Sequence, residues 1–191
     1  MNKLWIFGCS HSTGDFNLSS GDKPWTTIVA TAMGRLESNY AVSGNSNDRI
    51  VESVMSAIPQ FSADDKIIVL MTHPYRIDYG NKVLKPSNMY DEWWYKVVID
   101  DKFYATKQLH QLLSLHGLLA NFDYSIGFAD PTLLFAMTKE NKNVKQYFTK
   151  NCFIFPKLQL PKSYPLGDDM KHLSPAGHID IAKFIISKVV V

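Results

Sequence analysis

The stretch Leu4-Trp5-Ile6-Phe7-Gly8-Cys9-Ser10-His11-Ser12-Thr13-Gly14 decides the reading of this chain. Four consecutive apolar residues predict a short strand buried on both faces. The run stops at a glycine, and four polar or nucleophilic side chains follow it. That pattern predicts a turn exposing Cys9, Ser10, His11 and Ser12 at the carboxyl end of a strand, where open α/β sheets place their ligands. Gly8 is expected to give the sharp bend, and Gly14 a positive φ or a close approach.

Outward from that stretch, strands and helices alternate. Pro24 opens a helix over 25–33, in which Trp25, Ile28, Val29, Ala32 and Met33 share a face and Gly34 is the stop. Asn39 to Val42 reads as a second strand, ending in the polar turn 43–48. A helix over 49–58 carries Ile50, Val51, Val54, Met55 and Ile58 on one face. Ile67 to Met71 is a buried strand that ends at Thr72-His73-Pro74. Residues 75–90, polar and broken by proline, read as an irregular excursion. A helical region is expected over 91–115, supplied by Leu109, Leu112, Leu113 and Leu115 and stopped by Gly117. A fourth strand over 121–126, a short helix over 131–137, a strand or extended segment at 152–155, a proline-rich loop at 156–165, a polar turn at 168–178 and a closing helix over 179–191 complete the chain. This alternation predicts one domain over residues 1–191: an α/β fold, built as a three-layer α/β/α sandwich around a mainly parallel sheet.

Bulk properties narrow the partners. A length of 191 residues and a hydrophobic content of 46% suit one globular domain. The net charge of +2, with Lys and Arg scattered, argues against a nucleic-acid partner. No apolar run approaches the ~18 residues of a membrane span, and the start has too short an apolar core for a signal peptide. A cytoplasmic protein, or one carried on an assembled particle such as a phage, is expected. Cys9 and Cys152 make no disulfide framework. The phosphate-loop and dinucleotide spacings are absent, and no nucleotide cofactor is expected.

If the sheet is parallel, Ser10, Gly44-Asn45 and Thr72-His73 gather at one end of it, and the turn Asp169-Met170-Lys171-His172 joins them. A serine becomes a nucleophile at neutral pH through a base, usually a histidine, whose tautomer a carboxylate holds. Ser10, His172 and Asp169 supply that set, with Ser12 and Asp168 as neighbouring alternatives. Backbone N–H groups of Ser10 and Gly44, with a side-chain amide, can hold an oxyanion. Cys9 is a second candidate nucleophile. Cys9, His11, His73 and His172 are zinc-type ligands, but no metal-binding spacing accompanies them. Arg76 is a candidate for an anionic substrate group. Tyr90, Trp93, Trp94 and Tyr95 read either as a sugar-stacking cluster or as a buried helix face.

Gly8-Cys9-Ser10, Gly44 in Val42-Ser43-Gly44-Asn45-Ser46, and Asp169-x-x-His172 before the last helix resemble, in order and placement, three blocks of the SGNH (GDSL-type) hydrolase family. The resemblance frames nearly the whole chain and is nearest to the divergent phage- and polysaccharide-associated members. It implies an esterase with Ser10 as nucleophile, His172 as base and Asp169 as its orienter. The expected substrate is a small acyl ester, such as acetyl, on a small molecule or glycan, with no cofactor. Two positions depart from the family. Cys9 replaces the Asp before the serine, and Met71-Thr72-His73-Pro74-Tyr75-Arg76 replaces the Gly-x-Asn-Asp block that supplies an oxyanion side chain. Asn47, Asn45 and Thr72 are the candidate substitutes. An O-acyltransferase and a non-catalytic module binding glycan or protein are the alternative readings.

Overall fold

The computed structural model describes residues 2–15, 17–79, 82–84, 101–129, 132–140, 142–154 and 172–189. The expectations for Tyr90, Trp93, Trp94, Tyr95, the loop at 156–165, Asp168 and Asp169 lie outside them. β1 (Lys3–Phe7), β2 (Leu36–Asn39), β3 (Lys66–Met71), β6 (Asp123–Phe128) and β7 (Cys152–Ile154) form a five-stranded parallel sheet in the order β2-β1-β3-β6-β7. β4 (Ile77–Tyr79) and β5 (Lys82–Leu84) make a separate antiparallel hairpin. The helices are α1 (Ser10–Thr13), α2 (Trp25–Ala32), α3 (Asn47–Ala57), α4 (Asp101–Leu119), α5 (Thr132–Glu140) and α6 (Pro175–Val189).

Side chains alternate across a strand, so a strand covered on both faces is apolar throughout. Leu4 and Ile6 of β1, with Ile68 and Leu70 of β3, pack against Trp25 and Val29 of α2 and Ile181 and Ile185 of α6. Trp5 and Phe7, with Ile67, Val69 and Met71, pack against Ile50 and Val54 of α3 and Leu112 and Leu115 of α4. The central strands thus sit between two helical layers, as the alternation of elements predicts. At the amino-terminal end of the sheet, buried Asp65 accepts from Lys3 N at 2.7 Å, Trp5 Nε1 at 2.8 Å and Ser62 N at 3.0 Å.

Several boundaries move. The second strand is Leu36–Asn39 rather than 39–42. It is a half-exposed edge with little apolar content, so hydrophobicity does not mark it. The third helix starts at Asn47, because Ser46 caps it by accepting from Arg49 N. Within the excursion at 75–90, Ile77–Tyr79 and Lys82–Leu84 pair as β4 and β5 rather than running as irregular chain. Gly117 lies inside α4 rather than ending it. A Cβ there would meet nothing within 4 Å, and a solvent-facing glycine costs a helix only about 1 kcal/mol. The closing helix begins at Pro175, not 179, with Ser174 Oγ accepting from Gly177 N at 3.2 Å. The fourth strand runs two residues later than expected, at Asp123–Phe128. Cys9 and Cys152 are free thiols, and no helix among the described residues is long and apolar enough to cross a membrane.

The order of strands creates the site. From β1 the chain moves outward to β2, then crosses back to β3 and continues to β6 and β7. The direction reverses between β1 and β3, so the loops after those two strands part toward opposite faces and leave a crevice at their carboxyl ends.

Candidate active site

Ser10 is the first residue of α1, the one-turn helix that follows β1. The turn is less exposed than its composition suggests. Cys9 and Ser12 are buried, while Ser10 and His11 remain partly accessible. Gly8 is needed for room rather than for an unusual bend. A Cβ there would stand 2.8 Å from Ser12 Oγ and 3.4 Å from Leu70 Cβ. Gly14 ends α1 at φ 76°, and a Cβ on it would lie 2.7 Å from Pro24 Cβ, so glycine is required twice over.

Three other chain segments are tied to this turn. Asn17 Nδ2 donates to His172 O at 3.3 Å, and the His172 ring centroid lies 5.5 Å from that of His11. His172 is thereby placed against the residue that follows Ser10. The β2–α3 turn, with Gly44 at φ 84°, is held to the end of β1: Val42 N donates to Gly8 O at 3.2 Å and Asn45 Nδ2 to the same oxygen at 3.5 Å. Buried Asn47 grips the end of β3 in both directions. Its Nδ2 donates to Thr72 O at 3.2 Å and its Oδ1 accepts from Thr72 N at 2.7 Å. Arg76 Nη1 then donates to Asn45 O at 3.0 Å, closing the ring of loops.

The structure therefore brings Ser10, His172, Gly44, Asn45, Asn47, Thr72, His73 and Arg76 to the same end of the sheet, and Asp169 and Asp168 fall outside the described residues. Within this set Asn47 and Thr72 hold each other, and Asn45 bridges β1 and Arg76. Among the described residues no group of three His, Cys, Asp or Glu side chains is arranged to hold a metal.

The electrostatics are set by burial and by cations. His11 is pushed down to about 4, first by burial and then by electrostatic repulsion of its charged form by the neighbouring His172, Arg76, His73 and His178. It is neutral at pH 7, and its buried Nδ1 has no hydrogen-bond partner among the described residues. Burial also pushes His178 down to about 4, against the opposing effect of Asp22. Its Nδ1 accepts from Trp25 N at 3.2 Å, so this histidine is a neutral packing element of α6. Trp25 Nε1 donates to His11 O at 2.7 Å. Two supports escape sequence reasoning. Asn17 sits in what reads as a plain surface loop, and Trp25 reads only as an apolar helix position.

No known family model matches the sequence, and no curated protein matches it. Solved structures do. A member of the lipolytic G-D-S-L family from Veillonella parvula is similar at TM-score 0.58 and 14% identity, covering 98% of this chain and 97% of that one. The psychrotrophic esterase EstA from Pseudoalteromonas, solved inhibited by monoethylphosphonate, gives TM-score 0.60 at 12% identity over 100% and 97% of the two chains. A family two carbohydrate esterase from Clostridium thermocellum, solved with cellohexaose, gives TM-score 0.58 at 13% identity. That match covers 98% of this chain and 63% of the esterase. This chain therefore has the SGNH fold of the GDSL-type lipolytic proteins and carbohydrate esterases.

Proposed function

We propose that residues 1–191 form one SGNH-type serine esterase domain that removes a small acyl group, such as acetyl, from a carbohydrate. The observation that carries this reading is the approach of His172 to the turn bearing Ser10, 5.5 Å between the His172 and His11 rings across 160 residues of chain. Ser10 Oγ attacks the acyl carbon and His172 takes its proton. The oxyanion that forms is held by the N–H of Ser10, which as first residue of α1 has no intrahelical acceptor, and by the N–H of Gly44. His172 returns the proton to the leaving hydroxyl, and water repeats the sequence on the acyl-enzyme. Asp169 orients His172.

A binding module is the second reading, favoured by the engagement of Asn47 with Thr72. Asn47 gives one of its two Nδ2 N–H groups to Thr72 O, and if its hold on Thr72 turns the other away from the crevice the oxyanion has one donor fewer, which typically costs about 10²–10³-fold in rate. Intact mass after incubation with a fluorophosphonate separates the two. One adduct on wild type and none on Ser10→Ala is expected for the esterase. A folded wild type that takes no adduct refutes it. Faster ester turnover with an added sugar acceptor than in water alone would make the enzyme an acyltransferase instead.

A further inference from the structure

The one-turn helix α1 that carries Ser10 is too short to be stable by itself in water, and side chains take up its carbonyls. Ser10 O accepts from Thr13 Oγ1 at 3.1 Å, His11 O from Trp25 Nε1 at 2.7 Å and Ser12 O from Asn39 Nδ2 at 2.7 Å. The first two tie α1 to itself and to α2. The third ties it to the end of β2. Asn39 also has a hold on the next segment, because its Oδ1 accepts from Ala41 N at 3.0 Å, just before the turn that carries Gly44. One amide therefore fastens both segments whose N–H groups, those of Ser10 and Gly44, the esterase reading sets on the oxyanion.

The surroundings fix which way this amide points. Its Nδ2 also lies 3.4 Å from Glu37 Oε1, and Glu37 Oε2 accepts from Thr27 Oγ1 at 2.5 Å. A flipped amide would turn its oxygen toward Ser12 O and a carboxylate, and its NH₂ toward the Ala41 N–H. Neither burial nor strand propensity accounts for the residue. Asn39 is exposed at the end of an edge strand, and asparagine is disfavoured in strands.

We infer that Asn39 is a positioning residue for the reaction: its amide sets the spacing between α1 and the Gly44 turn, and so aims the two oxyanion donors at one point. The inference rests on the serine-esterase reading for the reaction, but the coupling of the two turns can be measured without turnover. Wild type, Asn39→Ala and Asn39→Asp are compared. The ionised Asp is the same size and still accepts from Ala41 N, but it has no proton for Ser12 O. Amide hydrogen exchange reads the two turns directly, since Ser12 N donates to Cys9 O at 2.9 Å and Asn45 N to Val42 O at 3.1 Å. In Asn39→Ala both amides should exchange about 2- to 10-fold faster, and in Asn39→Asp the Ser12 amide should respond more than that of Asn45. Turnover of p-nitrophenyl acetate should fall about 10- to 100-fold in kcat for both variants, with KM within about twofold and urea midpoints close to wild type. Donors displaced by about 1 Å weaken the transition state and not the bound ester. An unchanged kcat, a loss carried by KM, a loss matched by unfolding, or wild-type exchange at both amides overturns the inference. Fluorophosphonate labelling of wild type reads Ser10 separately. Labelling together with any of those results sinks this inference alone. A folded wild type that takes no label sinks the esterase reading, and the exchange rates then decide alone whether Asn39 joins the two turns.

Discussion

Replacing Asn47 by Ala should unfasten the β2–α3 turn from the end of β3. The two residues are 2% and 1% exposed, and one amide satisfies both main-chain groups of Thr72, at 3.2 and 2.7 Å. Its removal leaves a buried N–H and a buried C=O without partners, each costing about 1–3 kcal/mol. Water entering the vacated volume recovers part of this, so the expected loss is about 2–4 kcal/mol. Urea unfolding should report it as a lower midpoint at unchanged slope. Met55→Ala, at a 53% exposed position of the same helix, should stay within about 0.5 kcal/mol of wild type. Asn47→Asp tests direction. Its carboxylate can accept from Thr72 N but repels Thr72 O, whereas the protonated acid can donate to that oxygen. Its deficit relative to wild type should therefore shrink as pH falls. A loss below about 0.5 kcal/mol for Asn47→Ala would refute the idea that this amide fastens the loops.

Stability should also fall with acid. His178 is held near 4 in the folded chain against 6.5 unfolded, so between these values the unfolded state binds more protons and stability declines as pH drops. The effect is about 1–3 kcal/mol after allowance for solvent screening, and His178→Gln should flatten that part of a pH series of urea midpoints. Gly127→Ala should destabilise by about 1–3 kcal/mol, because a Cβ there meets the Leu70 side chain and lies 2.7 Å from Phe153 Cζ. A thermal melt within error of wild type would contradict that packing. Asp169→Asn should lower ester turnover by about 10²–10⁴-fold while Asp168→Asn leaves it near wild type, and the reverse order would move the orienting role to Asp168.

The layered fold was legible because burial on both faces writes itself into composition. Leu4 to Phe7 and Ile67 to Met71 are apolar at every position, and only a strand between two helical layers needs that. The edge strand β2 was misplaced for the same reason in reverse, since an edge half in water needs no apolar signature. Helix starts were missed where a cap, Ser46 or Ser174, rather than periodicity sets the boundary.

At the candidate site the residue types were legible and their employment was not. The order of Ser10, Gly44 and His172 along the chain is a property of sequence, as is the absence of a Gly-x-Asn-Asp block after β3. That Asn47 is engaged with Thr72, that Asn17 pins His172 beside His11, and that Arg76 donates to Asn45 O were decided only in the folded chain. Hydrogen bonds and ion pairs depend on which groups meet across 25 to 155 residues of sequence separation, and local sequence determines which groups are available, not which of them meet.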